Sequence, residues 1–261
     1  MFLALLAGPP PPGAPIPRDP AKLAARLDQT TRALDEAVDA WRASGAQRPS
    51  GEVTLYALYQ QRIVIMLTEK PALSRRVLAR LPAGEARPLR SELAGRRGLR
   101  RLSKPRPLSA FRTGPAAPAA NLLDYYRAAQ RRFGVAWNVL AAVNFVESAF
   151  NKLRNASTAG AQGPMQFIPS TWRAYGLGGN IHDPHDAILG AANYLRANGG
   201  ATDAGLDRAL LAYNHSPHYV DAILRFAHRM RRDPRSFYAY YSWQVYVRTS
   251  RGVRRVTGPG A

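Results

Sequence analysis

Residues 135–150 most strongly constrain the fold, because they are apolar on nearly every side of a helix. The apolar positions are Trp137, Val139, Leu140, Val143, Phe145 and Val146. A helix with apolar residues on all sides is a buried helix. Its one acidic residue, Glu147, lies near the carboxyl end. The sequence therefore predicts a buried helix that carries a carboxylate close to its last turn.

Most other segments also show helical periodicity, with apolar residues spaced by three, four and seven. Asn121 is a predicted helix N-cap, Gly134 a predicted helix end, and Asp183 an N-cap followed by Pro184. The remaining predicted helices cover residues 21–43, 53–68, 73–81, 170–175, 206–213 and a last helix that begins at 216–217. The aromatic and β-branched residues 238–247, with 253–256, predict a β-hairpin. The fold class is therefore mainly α with a short β-hairpin tail.

Composition divides the 261 residues into five parts. These are a Pro-rich start (1–20), a helical region (21–102), a Pro/Ala-rich basic linker (103–120), a densely patterned domain (121–232) and an aromatic, basic tail (233–261). The apolar residues 2–7 fit either the remnant of an export signal or an unstructured start, because a basic segment before them is missing. No run of apolar residues is long enough for a membrane-spanning helix.

The chain is strongly basic, with 37 Lys and Arg against 17 Asp and Glu and a formal net charge of +20. Residues 75–112 hold twelve basic residues and two acidic ones. Nucleic acid, anionic lipid and anionic wall polymers all attract such a stretch. A solvated, partly helical connector is the alternative, and the sequence favours it. Without base-stacking patterns or zinc-finger spacings, no specific nucleic acid is expected.

The absence of cysteine excludes disulfides and thiolate chemistry.

Glu147 is the candidate for acid–base chemistry. Burial and the negative end of its helix both favour the neutral carboxyl, so the pKa of Glu147 is expected to be raised. A neutral carboxylic acid suits cleavage of a glycosidic bond, where the leaving oxygen must be protonated. The alternative is a partly exposed glutamate paired with an arginine such as Arg154. Position alone favours that alternative.

Three ordered motifs strengthen the acid–base interpretation. They are Glu147-Ser148, residues 159–172 (AGAQGPMQFIPSTW) and residues 212–216 (AYNHS). Together they resemble the Glu-Ser, Gly-Leu-Met-Gln and Ala-Tyr-Asn motifs of lytic transglycosylases of the soluble-lytic-transglycosylase (SLT) and goose-type-lysozyme-like superfamily. The resemblance covers residues 121–232, and it is specific because the motifs occur in order at fitting separations.

The resemblance implies a lysozyme-like helical domain with a cleft for glycan strands of peptidoglycan. In such enzymes one glutamic acid cleaves the β-1,4 bond between N-acetylmuramic acid (MurNAc) and N-acetylglucosamine (GlcNAc). Here Glu147 would protonate the glycosidic oxygen and then take a proton from the C6 hydroxyl, which closes a 1,6-anhydro ring without water. No cofactor and no metal are implied. The lack of an obvious second carboxylate fits this scheme, since hydrolytic glycosidases usually need a pair.

Carried over to this chain, the family's motifs imply further site residues. Ser148 would orient the end of the helix, Met165 and Gln166 would line the cleft floor, Tyr213 would hydrogen-bond Glu147, and Asn214 would contact the substrate. A core tyrosine at Tyr213 and a helix C-cap at Asn214 are the ordinary alternatives.

The middle motif also carries two glycines and one departure from the family pattern. Gly160 and Gly163 would let the loop backbone approach the sugar, although a loop glycine often serves only the turn. Pro164 stands where leucine or a similar residue is common, which leaves the shape of the loop open. The residues after it, with the aromatic tail, resemble secreted members from Gram-positive and related bacteria.

Three other functions compete with the transglycosylase interpretation. A lysozyme-like hydrolase would need a carboxylate to position water, with Asp183, Asp186 and Asp203 as candidates. A metal site could use residues 182–186 and 215–218, although these spacings match no helical zinc motif and capping explains them. An inactive basic module that binds cell walls is the third competing function.

We expect the protein to be an exported monomer in the cell envelope or outside the cell. It is expected to bind glycan strands and, through its basic regions, anionic wall polymers or a membrane surface.

Overall fold

The computed structural model describes residues 8–261, which are mainly α-helical with one β-hairpin. The apolar residues 2–7, with their predicted signal remnant, lie outside the described residues. The helices are α1 (Pro20–Ser44), α2 (Gly51–Glu69), α3 (Pro71–Leu78), α4 (Ala83–Leu102), α5 (Ala119–Phe133), α6 (Trp137–Ser148), α7 (Pro169–Tyr175), α8 (Pro184–Ala197), α9 (Asp203–Tyr213), α10 (Pro217–Arg232) and α11 (Arg235–Ser242). The strands are β1 (Tyr246–Thr249) and β2 (Gly252–Arg255). The predicted mainly α fold with a terminal hairpin is confirmed.

The first two helices begin and end at residues that the sequence marks clearly. The side chain of Asp19 accepts hydrogen bonds from the first backbone N–H groups of α1, and Gly45 ends this helix with a φ of 66°. Ser50 caps α2 in the same way as Asp19 caps α1. The two helices pack against each other through their apolar faces.

The arginine-rich stretch forms α4, a packed helix instead of the solvated connector that the sequence favoured. Its inner face is buried and contains Ala86, Leu89, Glu92, Leu93, Gly95 and Gly98. This face packs on α10, and a Cβ at Gly95 would lie 3.3 Å from the Cα of Ala222. Small residues therefore let the two helices approach closely, while Arg87, Arg90 and Arg101 remain exposed.

Helix α6 lies at the centre of the second half, in contact with α5, α8, α10 and α11. The predicted cap of α5 is wrong: this helix begins at Ala119 after Pro118, so Asn121 lies inside its first turn. Helix α5 ends at Gly134 as predicted, and Asp183 caps α8. Buried residues from α1, α6 and α11 belong to one continuous hydrophobic cluster. The helices before residue 103 thus share their core with the domain that follows.

The tail differs from the prediction in its first half, because residues 235–242 form α11 and not a strand. Tyr238 packs edge-on against Trp41 of α1 at a centroid distance of 5.3 Å, and Tyr240 stacks on Phe145 of α6 at 4.9 Å. Packing in two directions overrides the β propensity of these aromatic residues. The hairpin after α11 is as predicted, with Thr249 opposite Gly252.

Candidate active site

Glu147 lies one residue before the end of α6, with its side chain partly buried. The hydroxyl of Tyr219, at the start of α10, donates a hydrogen bond of 2.7 Å to Oε1 of Glu147. Tyr219 is itself buried and lies parallel to the ring of Tyr213 at a centroid distance of 6.5 Å. The carboxylate is therefore held between the end of α6 and the first turn of α10.

Burial raises the pKa of Glu147 to about 7, and the hydrogen bond from Tyr219 opposes this rise. The burial penalty dominates because a charged carboxylate loses most of its hydration there. The alternative pairing with Arg154 is absent, since the guanidinium of Arg154 donates to the carbonyls of Asn151 and Pro115. Among the described residues, Glu147 forms no ion pair and remains a candidate proton donor near neutral pH.

Ser148, for which a role in orienting the end of α6 is predicted, joins this end to the middle motif through hydrogen bonds. Its buried hydroxyl donates to the carbonyl of Pro164 at 2.6 Å and accepts from the backbone N–H of Asn151 at 2.8 Å. Asn144, one turn earlier, donates to the same carbonyl at 2.9 Å and accepts from the hydroxyl of Tyr126 at 2.6 Å. This buried network fixes Glu147 relative to the loop.

The loop that contains the middle motif turns tightly at Gly163. Its φ is 75°, and a Cβ there would lie 1.9 Å from the carbonyl oxygen of Ile181. The close neighbour of Gly163 is therefore another backbone segment, so the glycine serves the fold of the loop. Met165 is fully buried, and the partly exposed Gln166 has a φ of 50°. Of the predicted cleft-floor pair, only Gln166 has a partly exposed side chain.

The predicted hydrogen bond from Tyr213 to Glu147 is wrong, because the hydroxyl of Tyr213 donates to the carbonyl of Met165 at 2.7 Å. Asn214 follows α9 directly, with a partly exposed side chain.

The sequence analysis did not predict the contact of Tyr219 with Glu147, because Tyr219 belongs to none of the three motifs. Its position four residues before Ile223 on the apolar face of α10 was the available signal.

A cavity of about 290 Å³ opens beside Glu147. Its walls come from α2, α4, the end of α6, α10 and the hairpin, and its lining includes Gln61, Arg96, Phe145, Glu147, Trp243 and Arg248. Among the described residues that line it, Glu147 is the one carboxylate. The side chains that surround Glu147 thus come partly from segments far from the three motifs.

The other predicted acidic and metal-binding groups serve the backbone. The carboxylate of Asp183 accepts from the N–H of Asp186, and Asp186 accepts from the N–H of Asn180. With His185 these residues bring ligand atoms within 4.8 Å of one another, but they are exposed or only partly buried. Asp203 is the first residue of α9. Capping therefore accounts for the cluster at 183–186.

Comparison with known proteins finds a family that the central part of the chain resembles. The family model described as the transglycosylase SLT domain matches residues 124–229, which contain Glu147 and all three motifs. These residues resemble an SLT domain, and they make up less than half of the chain. The resemblance to SLT-type lytic transglycosylases is thereby confirmed. Helices α1 to α4, α11 and the hairpin lie outside the matched SLT domain.

One similar protein is the membrane-bound lytic murein transglycosylase F of Thiobacillus denitrificans. It is 31% identical over 123 residues, which are 45% of this chain. The aligned part spans 26% of the length of that relative. No solved structure matches the chain. Within residues 8–261, no helix has the length and apolar character needed to cross a membrane.

Proposed function

We propose that this protein is a peptidoglycan lytic transglycosylase that cleaves the β-1,4 bond between MurNAc and GlcNAc and leaves a 1,6-anhydromuramic acid end. The observation that carries the proposal is Glu147, a partly buried carboxyl whose pKa burial raises to about 7. The match to the SLT domain and the similarity to a lytic murein transglycosylase support it. Murein as the proposed substrate supports a location in the cell envelope.

In the first step the neutral carboxyl of Glu147 donates its proton to the glycosidic oxygen as the bond to C1 of MurNAc breaks. The leaving GlcNAc keeps that proton as its C4 hydroxyl, and positive charge develops at C1. The hydrogen bond from Tyr219 stabilises the carboxylate that results.

In the second step the C6 hydroxyl of the same MurNAc attacks C1. The carboxylate of Glu147 accepts the hydroxyl proton, which restores the acid for the next cycle. The bond from O6 to C1 replaces the glycosidic bond, so no water enters the product. One carboxyl performs both proton transfers.

The remaining motif residues divide by exposure. Gln166 and Asn214 are partly exposed and are proposed to contact the glycan. Ser148 and Met165 are buried, so we assign them to positioning α6 and the loop. Tyr213 supports the same loop through its bond to Met165.

Hydrolysis by a lysozyme-like mechanism is the second candidate, because the fold alone does not choose between water and the C6 hydroxyl. Against it stands the lining of the cavity, in which Glu147 is the one carboxylate of the described residues. Asp183 and Asp186 hold backbone N–H groups at the start of α8. Among the described residues that line the cavity, no second carboxylate is therefore available to position water beside Glu147.

Mass spectrometry of the products released from purified peptidoglycan tests the proposal. We expect 1,6-anhydro products from the native protein and from the control Glu36→Gln, which changes an exposed glutamate of α1. Glu147→Gln should release none. Reducing ends would assign the protein to the hydrolases, and no release from the native protein would support the inactive wall-binding module.

A further inference from the structure

Residues 100–112 and 248–255, which lie outside the match to the SLT domain, form one connected surface. The side chain of Arg248 donates to the backbone carbonyls of Arg100 and Ser103. The backbone N–H of Arg106 donates to the carbonyl of Arg248 at 3.0 Å. The start of the linker is therefore fixed against β1. We call these two segments together the linker–hairpin surface.

The linker–hairpin surface is positively charged and contains no acidic residue. Its cations are Arg100, Arg101, Lys104, Arg106, Arg112, Arg248, Arg251, Arg254 and Arg255. The sequence has no Asp or Glu between Glu92 and Asp124, and none after Asp233. Among these cations, Arg100 is the one that forms an ion pair within residues 8–261, with Glu69 at 2.6 Å. Such a concentration of positive charge attracts an anionic partner.

The same surface exposes two large apolar side chains beside its cations. Leu102 is 42% exposed and Leu108 is 52% exposed. They stand on either side of the short segment that β1 holds. A polymer of sugar and phosphate would bury little of this apolar surface, so it would leave the leucines in water. A lipid bilayer offers anionic headgroups to the cations and an apolar interface to the leucines.

We propose that the linker–hairpin surface binds an anionic phospholipid bilayer, with Leu102 and Leu108 in the interface and the cations at the headgroup phosphates. Each lysine or arginine close to an anionic leaflet strengthens binding about fivefold. Apolar side chains that enter the interface add to this attraction. The binding goes beyond the proposed function and does not require it.

The position of this surface has a consequence for the active site. The cavity beside Glu147 includes Arg100, Ser103 and Arg248 in its lining, so it adjoins the linker–hairpin surface. Binding to a bilayer would therefore hold the cavity close to the membrane. The proposed transglycosylase would then reach the glycan strands nearest the membrane first.

Sedimentation with lipid vesicles tests the binding on the native protein. The vesicles contain either phosphatidylcholine alone or an equal mixture of phosphatidylcholine and phosphatidylglycerol. We expect the protein to sediment with the mixed vesicles and to remain in solution with phosphatidylcholine alone. The mixed vesicles should also slow the exchange of backbone amide hydrogens in residues 100–112. Equal binding to both vesicle types, or slowed exchange only elsewhere in the chain, would overturn the inference.

The two leucines distinguish a bilayer from an anionic polymer. Leu102→Ser combined with Leu108→Ser should weaken binding to the mixed vesicles about tenfold, because apolar contact is lost. The matched control is Leu177→Ser combined with Leu211→Ser, which changes leucines of 49% and 42% exposure in other parts of the chain. Unchanged affinity after the first pair of substitutions would overturn the assignment to lipid and favour a wall polymer bound through charge alone.

A pair of cations tests the location of the binding surface. Arg101→Gln combined with Lys104→Gln should weaken binding to the mixed vesicles about thirtyfold, since two positive charges leave the interface. The control, Arg231→Gln combined with Arg232→Gln, removes the same charge from exposed arginines at the end of α10. An equal loss in both double variants would show that net charge, and not this surface, binds the bilayer.

That control is distant from the linker–hairpin surface because α10 runs antiparallel to α4. Gly98 lies against His218 in the first turn of α10, and Gly95 lies against Ala222. The end of α10 therefore lies beside the start of α4, away from the linker. All substituted side chains of these variants are exposed, so each variant should keep the melting temperature of the native protein.

Glu147→Gln separates this inference from the proposed function. The variant should bind the mixed vesicles as tightly as the native protein does, because Glu147 is not part of the linker–hairpin surface. Release of 1,6-anhydro products by a native protein that does not bind vesicles would defeat the lipid-binding inference and leave the transglycosylase proposal standing. Vesicle binding without release of products would do the reverse.

Discussion

Burial raises the pKa of Glu147, and the hydroxyl of Tyr219 is the group that opposes this rise. It donates to the carboxylate at 2.7 Å and so favours the charged form, while burial favours the neutral form. The resulting pKa of about 7 leaves Glu147 able to donate and accept a proton near neutral pH. Burial and this one contact together therefore set the balance between the two steps of the proposed reaction.

Tyr219→Phe should raise the pKa of Glu147 further, because the bond that favours the carboxylate is lost. Since the first step needs the neutral carboxyl, kcat/KM of the native enzyme should fall as the pH rises above about 7. In Tyr219→Phe this fall should move to higher pH by about one unit, the equivalent of one hydrogen bond. The measurement is kcat/KM against pH on soluble glycan strands.

The control for Tyr219→Phe is Tyr241→Phe, which removes a hydroxyl that donates to the carbonyl of Ala117 at 2.9 Å. Its pH profile should match that of the native enzyme. A profile of Tyr219→Phe that shifts to lower pH would contradict the role assigned to Tyr219.

Lys152, shortly after α6, is a second buried group with an unusual titration. Its ammonium donates to the carbonyls of Tyr241 and Trp243, and burial lowers the pKa of Lys152 to about 7. In the unfolded chain this lysine titrates near its ordinary 10.5. As the pH falls from 10.5 to 7 the unfolded state gains the proton first, so the native protein loses stability over that range.

Lys152→Met should lower the free energy of unfolding by roughly 2 kcal/mol at neutral pH, because two carbonyls lose their donor. The difference in the free energy of unfolding between the native protein and Lys152→Met should be larger at pH 10 than at pH 7. The native protein gains stability over this range because it carries the titrating amine, whereas Lys152→Met does not. Denaturant unfolding at the two pH values measures both quantities. A deficit that shrinks at pH 10 would show that the ammonium is not penalised by burial.

At the scale of elements, the loop of the middle motif depends on a contact with the segment before α8. Gly163 adopts a φ of 75° and leaves no room for a Cβ against Ile181. Gly160 has a similar φ of 82° but no atom within 4 Å of a Cβ position. Both glycines adopt a left-handed backbone conformation, but only Gly163 has a neighbouring backbone atom too close for a Cβ.

Gly163→Ala should therefore reduce both the melting temperature and the cleavage rate much more than Gly160→Ala. Both variants carry the cost of a left-handed alanine, about 1 to 2 kcal/mol. Only Gly163→Ala must also displace the carbonyl of Ile181, which moves the loop that Ser148 holds beside Glu147. Thermal unfolding and strand cleavage measured side by side test this, and equal effects would refute the close contact.

At the scale of the whole molecule, α2, α4 and the tail complete the cavity beside Glu147. Helix α4 packs on α10, α11 packs against α1 and α2, and the hairpin closes the cavity beside Glu147. The linker is attached as well, since the N–H of Arg106 donates to the carbonyl of Arg248. Segments that composition separates thus share one core and one site.

The net charge of +20 gives a further whole-molecule prediction. Binding of Glu147→Gln, which should leave cell walls intact, is expected to weaken steeply as salt rises and the screening length falls from about 10 Å at 0.1 M to about 3 Å at 1 M. A wall pull-down across this salt range measures it. Replacing the exposed Arg87 and Arg90 with Gln should weaken low-salt binding, whereas salt-insensitive binding would show that charge does not hold the protein on the wall.

The sequence by itself determined the elements whose signals are local. The cap at Asp183, the helix end at Gly134 and the turn before Gly252 depend on a few neighbouring residues, and each lies where the pattern predicts. The pKa rise of Glu147 followed from its place in an apolar helix. The ordered motifs indicated the family because they record residue types at fixed separations.

Only the tertiary structure decided which distant side chains meet. Tyr219 and not Tyr213 reaches Glu147, because the pitch and placement of α10 determine which hydroxyl faces α6. Residues 238–242 became helical because their rings pack against α1 and α6 at once. Arg96 entered the cavity because α4 packs on α10. Such contacts depend on the free energy of burying surfaces from separate segments, and no local pattern in the sequence encodes that pairing.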